Sequence, residues 1–280
     1  MRHSFFSVFA LLGAFGLSAC SQNDAQVQEA LKDVNVIDES NLNDLMLTVS
    51  DPNEAVSYFS GAVNQNPDRT DLKRGLAKSL VRANKSTEAV AVWREVVAAP
   101  DATLDDQVAL ADALIRNNDW TAAEVELNKI PPTHESFERY RLEAMVADSK
   151  NDWKKADSFY ETAVGLTTKP AAVLNNWGFS KLIRGDPAGA EKLFIETLTY
   201  DSTMFTAKNN LVLARASQGK YDLPVVAMTQ TERAELLYTM ALAAIKRGDT
   251  IVGKRLLHEA IDTHPQYFEA AARSLAALES

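Results

Sequence analysis

The sequence predicts an all-α protein built from stacked helical hairpins, and three observations lead to that prediction. Apolar residues recur at helical spacing on both sides of a turn formed by Gly185, Asp186 and Pro187. This pattern returns about every 34 residues along most of the chain. The turn holds Gly or Asn, the residues best suited to a left-handed backbone, in six of the seven copies. One hairpin of this size cannot bury its apolar face alone, so the copies must pack on one another.

Seven repeats are predicted, followed by a helix over residues 268–280 that covers the end of the array. Position 15 of each repeat is the turn residue, and positions 20 and 24 pair a small residue with a large one, as in Ala190 and Phe194. The small residue lets two helices approach and the large one fills the groove between them. The sixth repeat is shorter and has Pro224 in place of the small residue, so we expect a broken second helix or an extended link there. The predicted bounds are 36–69, 70–103, 104–136, 137–170, 171–204, 205–233 and 234–267.

These residues resemble the tetratricopeptide repeat (TPR) family. Its pattern has a large residue at position 4, Leu at 7, Gly or Ala at 8, Ala at 20 and Phe or Tyr at 24, and the fifth repeat matches four of these positions with Leu174, Gly178, Ala190 and Phe194. The resemblance covers residues 36–267. It implies a right-handed superhelical solenoid, in which the first helices line a concave groove that binds an extended or helical peptide.

The first nineteen residues have the pattern of an export signal. Arg2 and His3 form a basic head, and the apolar run over residues 5–17 is too short to span a bilayer as a mature helix. The sequence Leu-Ser-Ala-Cys at 17–20 resembles a bacterial lipobox, which implies that Cys20, the only cysteine, is acylated and begins the mature protein. The alternative is an ordinary signal peptide that contains a cysteine.

Residues 20–35 are then predicted to form the acylated cysteine and a polar tether. Ser21 after the cysteine resembles the pattern that directs enterobacterial lipoproteins to the outer membrane. The predicted location is therefore the outer membrane, with the protein facing the periplasm.

The composition argues against several classes of function. A formal net charge of −9 does not suit a nucleic-acid surface, which needs a stripe of positive charge. His134, His258 and His264 lack the paired spacing of a metal-binding helix, and the chain has no phosphate loop or nucleophile elbow. We therefore predict a protein that is not an enzyme and uses no metal or cofactor. An enzyme whose acidic site no motif marks is the alternative from another class.

The predicted partner-binding residues lie at groove-facing positions of the first helices. In the second repeat, Arg74, Lys78 and Arg82 form a basic strip that could receive an acidic segment of a partner, and the alternative is a solvated charged face. In the fifth to seventh repeats, amide side chains could bond a peptide backbone while apolar ones provide a dry pocket, and the alternative is packing between repeats. The residues of this second group are Asn175, Phe179, Asn209, Leu213, Tyr238 and Leu242.

The combination of a lipobox with this array resembles the TPR lipoproteins of the tight-adherence (Flp) pilus machinery. The resemblance also rests on the Asn-Asn pairs at 175–176 and 209–210 and on the sequences at 228–249 and 260–275. It implies a scaffold that assists an outer-membrane secretin or pilus assembly without catalysis. A scaffold for peptidoglycan enzymes or for insertion of outer-membrane proteins would have the same architecture with a different partner.

Overall fold

The computed structural model describes residues 42–279, and this part of the chain is helical with no β-strand. The predicted signal at 1–19, Cys20, the tether and the start of the first repeat lie outside the described residues. The helices are α1 over residues 42–48, α2 Pro52–Gln65, α3 Thr70–Arg82, α4 Ser86–Val97, α5 Leu104–Arg116, α6 Trp120–Asn128, α7 Phe137–Ser149, α8 Trp153–Gly165, α9 Ala171–Ile183, α10 Pro187–Tyr200, α11 Phe205–Ser217, α12 Gln230–Arg247, α13 Thr250–Thr263 and α14 Glu269–Glu279.

The chain forms two compact bodies, which divide between Val92 and Trp93 within α4. In the N-terminal body, the ring of Phe59 on α2 lies directly over Gly75 on α3, where an added Cβ would be only 2.3 Å from a ring carbon. Phe59 is also edge-on to Tyr58, with ring centroids 5.0 Å apart. The small residue on α3 is what allows the two helices of this body to approach so closely.

In the C-terminal body, successive helices pack as antiparallel hairpins, α5 with α6, α7 with α8, α9 with α10 and α12 with α13. Each first helix also contacts the first helix of the next repeat, since α5 meets α7, α7 meets α9 and α9 meets α11. Ala190 and Phe194 are fully buried, as the spacing of small and large residues predicted. The all-α fold of TPR-type hairpins is therefore confirmed.

The predicted turn residues adopt the left-handed backbone that their identity suggested. Positive φ angles occur at position 15 of six successive repeats, and the next residue often caps the following helix, as the Asp152 and Asp186 side chains do by accepting backbone N–H bonds. Pro187 occupies the first turn of α10, where its missing N–H costs nothing. The turn residues are Asn84, Asn118, Asn151, Gly185, Gly219 and Gly248.

Residues 218–229, between α11 and α12, contain no helix. The sixth repeat therefore lacks its second helix, as Pro224 predicted. The next helix begins at Gln230, before the residue 234 predicted as the start of the seventh repeat. The side chains of Thr229 and Glu232 each accept the backbone N–H of the other, which closes a capping box and fixes the earlier start. The last helix, α14, lies where the capping helix was predicted.

Consecutive repeats of the C-terminal body are joined by a carboxylate at position 21 of the repeat, which lies in its second helix. Glu124 accepts a bond from Lys150 of the next repeat, at 2.5 Å. Glu191 accepts bonds from Arg215 at 3.0 Å and from Lys220 at 2.8 Å, and both donors belong to the next repeat. These ion pairs hold the hairpins in register across the stack.

Candidate partner-binding groove

A cavity of about 440 Å³, here called the inner cavity, opens between the first helices of the C-terminal body. The surface of its lining is mainly apolar. Two of the lining side chains are exposed to solvent, with Phe179 at 48% and Ile183 at 56% of their maximum accessible surface. Large apolar side chains in a concave exposed surface are typical of sites that bind another molecule. The lining residues are Trp120, Met145, Asp148, Ser149, Tyr160, Asn175, Asn176, Phe179, Ile183, Thr206 and Asn210.

The amide residues of the inner cavity also connect neighbouring repeats. The Asn210 amide donates to the side-chain oxygen of Asn175 at 3.1 Å, and the Asn176 amide donates to the sulfur of Met145 at 3.4 Å. The amide nitrogen of Asn175 forms no hydrogen bond within residues 42–279. Asn175 thus contributes to packing between repeats while keeping donors for a bound peptide.

Asp148 is the one residue of the cavity lining that carries a negative charge. Its two carboxylate oxygens accept hydrogen bonds from the Tyr160 hydroxyl at 2.9 Å and from the Ser180 hydroxyl at 2.7 Å. Burial raises the pKa of Asp148, although both hydroxyl bonds act in the opposite direction by favouring the ionised form. Burial next to this carboxylate also raises the pKa of the Tyr160 phenol, so Tyr160 remains a neutral donor.

The helices behind the inner cavity are held by a polar cluster around Asp157 on α8. Its carboxylate accepts bonds from the Trp177 indole at 2.6 Å, from Lys181 at 3.1 Å and from Arg184 at 2.7 and 2.8 Å. Burial alone would raise the pKa of Asp157, but these bonds outweigh it and the pKa is lowered. The cluster fixes α9, the helix that carries Asn175 and Phe179, against α8.

A second cavity of about 510 Å³, here called the terminal cavity, lies between α11 and α12. The predicted residues Leu213 and Leu242 both line it. Asn209 does not line it but accepts a 2.8 Å bond from Thr239, which ties the sixth repeat to the seventh. Tyr238 instead packs against Phe268, directly before α14, with ring centroids 5.3 Å apart, and its hydroxyl lies 3.3 Å from the Ser274 hydroxyl on α14. The six predicted residues therefore divide between two cavities and the contacts between repeats.

The basic strip predicted in the N-terminal body is partly occupied by internal contacts. The Arg82 guanidinium donates to the carbonyl oxygens of Met46 at 3.0 Å and Ser50 at 2.8 Å, which satisfies the end of α1. Lys78 is exposed and Arg74 is half-buried. The sequence did not predict this capping role for Arg82.

Sequence analysis missed Met145, Asp148 and Ser149, although the signal was present. They stand at positions 9, 12 and 13 of the fourth repeat, which are groove-facing positions in the same frame that selected Asn175 and Phe179. At position 7 of this repeat, Glu143 stands where the family pattern has leucine. In the structure Glu143 accepts a 2.8 Å bond from Arg139, and this ion pair replaces the missing apolar contact.

Residues 42–279 contain no group of three or more histidine, cysteine, aspartate or glutamate side chains placed to hold a metal ion. Within the same range, no helix combines the length and the apolar character that a bilayer span requires.

Comparison with known proteins supports the TPR fold. The sequence model of the Tetratricopeptide repeat family matches residues 74–130. No curated protein matches the sequence. Among solved structures, a chain of the APC/C hetero-tetramer Cut9–Hcn1 is 15% identical with a TM-score of 0.59, covering 81% of this chain and 46% of its own. This protein therefore spans about half the length of that relative.

Two further solved structures match over nearly their whole length. Pseudomonas aeruginosa PilF is 14% identical with a TM-score of 0.51, and the match covers 74% of this chain and 96% of PilF. PilW, described as a widely conserved type IV pilus biogenesis factor, is 11% identical with a TM-score of 0.56, and the match covers 86% of this chain and 96% of PilW. At these identities the likeness concerns the fold, and the fold that the protein shares with them is an array of TPR-type helical hairpins.

Proposed function

We propose that the protein is a non-catalytic scaffold that is anchored to the outer membrane, faces the periplasm and holds a protein partner in the inner cavity. The proposal rests chiefly on one observation, the exposure of Phe179 and Ile183 in a concave surface that also presents amide groups. An exposed apolar side chain gains free energy when a partner covers it. Neighbouring amides can satisfy the backbone of that partner.

The proposed partner belongs to a pilus or secretin assembly system of the tight-adherence type. The resemblance of the sequence to TPR lipoproteins of that machinery supports this assignment. PilW, described as a type IV pilus biogenesis factor, has a similar array of helices and a similar length. These likenesses make pilin and secretin components the first partners to test.

Acylation of Cys20 is the proposed means of attachment. Several acyl chains, each contributing about 0.8 kcal/mol per buried CH₂ group, give a stable anchor where a single chain does not. The polar segment after Cys20 would then separate the repeats from the lipid surface.

The double variant Phe179→Ala with Leu213→Asp tests the scaffold. It alters one residue of the inner cavity and one of the terminal cavity, and neither residue is fully buried. We expect it to reduce crosslinking to secretin and pilin components and to reduce the number of surface pili in the native cell. Circular dichroism should show unchanged helix content.

The matched control is Ile195→Ala with Val225→Asp, which replaces two exposed apolar residues, at 44% and 104% exposure, outside both cavities. It should leave crosslinking and piliation at the wild-type level. Equal crosslinking by wild type and by the cavity variant would contradict the proposed site, and normal piliation in a strain lacking the protein would contradict the pilus assignment.

A further inference from the structure

The lining of the inner cavity contains a single carboxylate, that of Asp148. Eleven residues line the cavity, and Asp148 is the one acidic or basic residue among them. The amide, hydroxyl and apolar residues around it are all uncharged. A ligand in this cavity therefore meets one negative group within otherwise neutral walls.

No basic side chain of the described chain forms an ion pair with Asp148. Arg184 lies near enough to lower the pKa of Asp148 through its field, but the guanidinium donates to both oxygens of Asp157 and to the backbone oxygen of Trp153. Arg141 is paired with Asp112 at 3.1 Å. The nearest cations are thus bound to other acids.

The carboxylate of Asp148 can accept further hydrogen bonds. Its two oxygens offer about four acceptor positions, and the Tyr160 and Ser180 hydroxyls occupy two of them. Both hydroxyls also hold the carboxylate in a fixed orientation. An ammonium or guanidinium group of a ligand could use the remaining positions without displacing either hydroxyl.

The surrounding apolar walls determine what else such a ligand must carry. Phe179 and Ile183 are about half exposed and would cover a large apolar side chain. Lysine and arginine side chains have apolar stems that suit the same walls. A terminal carboxylate, by contrast, would be repelled by Asp148, which argues against capture of a free C-terminus in this cavity.

We propose that the inner cavity selects a segment of the partner protein that carries a large apolar side chain beside a lysine or an arginine. This inference rests on the proposed function and specifies the chemistry of the partner at that site. Asp148 is the specificity-determining residue, and Phe179 and Ile183 provide the apolar contact.

Three synthetic peptides test this selection. Each is acetylated and amidated and has the order serine, glycine, phenylalanine, X, glycine, serine, where X is lysine, glutamine or glutamate. Binding to the purified full-length protein in detergent is followed by the change in tryptophan fluorescence, and of the four tryptophans of the sequence Trp120 is the one that lines the cavity. A partly exposed ion pair changes affinity by roughly fivefold, so we expect the lysine peptide to bind about fivefold more tightly than the glutamine peptide. The glutamate peptide should bind most weakly.

Asp148→Asn should bring the lysine and glutamine peptides to within about twofold of one another, because it removes the charge and keeps an acceptor oxygen. The matched control, Glu161→Gln, changes the net charge equally at an exposed residue of α8 outside the cavity and should retain the preference. If Asp148→Asn fails to fold, the wild-type ranking decides, together with the loss of the lysine preference in concentrated sodium chloride.

Equal binding of the three peptides, or a lysine preference that survives Asp148→Asn or high salt, would overturn this inference and leave the scaffold proposal standing. Absence of binding by all three peptides, with the scaffold crosslinks still lost in the Phe179→Ala and Leu213→Asp variant, would overturn the inference alone. Absence of both binding and crosslinking in the wild type would overturn the two proposals together.

Discussion

Replacing Gly178 with alanine should destabilise the C-terminal body, although alanine is the better helix former. Gly178 lies on α9 directly beneath the buried ring of Phe194 on α10. A Cβ at this position would be 2.6, 2.9 and 3.0 Å from three carbons of that ring. Ordinary contacts of this kind begin near 3.4 Å, so the ring or the helix must move by close to 1 Å.

The expected magnitude follows from two opposing terms. Overpacking a well-filled core costs about 1–3 kcal/mol. Removing a glycine from a helix returns at most about 1 kcal/mol. Because Phe194 is completely buried and cannot turn into solvent, the overpacking term should dominate, and we expect a net loss of about 1–2 kcal/mol.

Urea unfolding followed by tryptophan fluorescence measures this loss, since Trp177 and Trp153 lie in the same pair of repeats. With a slope of about 1–3 kcal/mol per molar urea, the midpoint should fall by roughly 0.5–1 M. The matched control is Gly165→Ala, at the end of α8, where no atom lies within 4 Å of an added Cβ. That variant should be unchanged or slightly stabilised.

The reasoning would be refuted if Gly178→Ala were as stable as the wild type or more stable. A loss of equal size in Gly165→Ala would also refute it, because the effect could then not be assigned to the ring of Phe194.

Three further predictions concern the turns, the acid stability and the anchor. Gly185→Ala should lower the free energy of unfolding by about 1 kcal/mol, because Gly185 has a φ of 88° and open space around it, so that only the penalty for a left-handed backbone applies. Asn151→Gly should lower the free energy of unfolding by less than about 0.5 kcal/mol. Urea titrations of the two variants compare these losses. The pKa of Asp157 is lowered in the folded protein, so the ionised carboxylate stabilises the fold above the usual value of 3.8, and this contribution disappears as the pH falls through the lowered value. Between about pH 5 and pH 2, the free energy of unfolding of Asp157→Asn should therefore fall by less than that of the wild type. A steeper acid loss in that variant would contradict the assignment. Cys20→Ser should move the protein from the membrane fraction to the soluble fraction, and continued retention in the membrane would contradict acylation as the anchor.

The helices and turns were predictable because they depend on residues close together in the chain. Apolar spacing marked each amphipathic helix, and Asn or Gly at position 15 marked each left-handed turn. Pro224 likewise predicted the loss of the second helix in the sixth repeat. The helix α12 begins at Gln230, ahead of the seventh repeat frame, because the capping box of Thr229 and Glu232 starts it there.

The candidate site was predicted only in part. Asn175 and Phe179 line the inner cavity, and Leu213 and Leu242 line the terminal cavity. The helical frame identified which positions face the groove, but it could not show that Arg82 is used to cap α1. That outcome depends on which carbonyl groups lie within reach after the helices pack.

The sequence by itself determined the helical hairpins, their turns and the pairing of small and large residues between them, because each of these follows from spacing within about 34 residues. Only the tertiary structure decided that Asp148 shares a cavity with Asn175 and Phe179 and that its carboxylate is held by two hydroxyl groups. The physical reason is that the cavity is enclosed by side chains from five helices, which come together through the packing of successive repeats. The chemistry of a surface built in this way depends on distances between repeats, and those distances are set by the whole core.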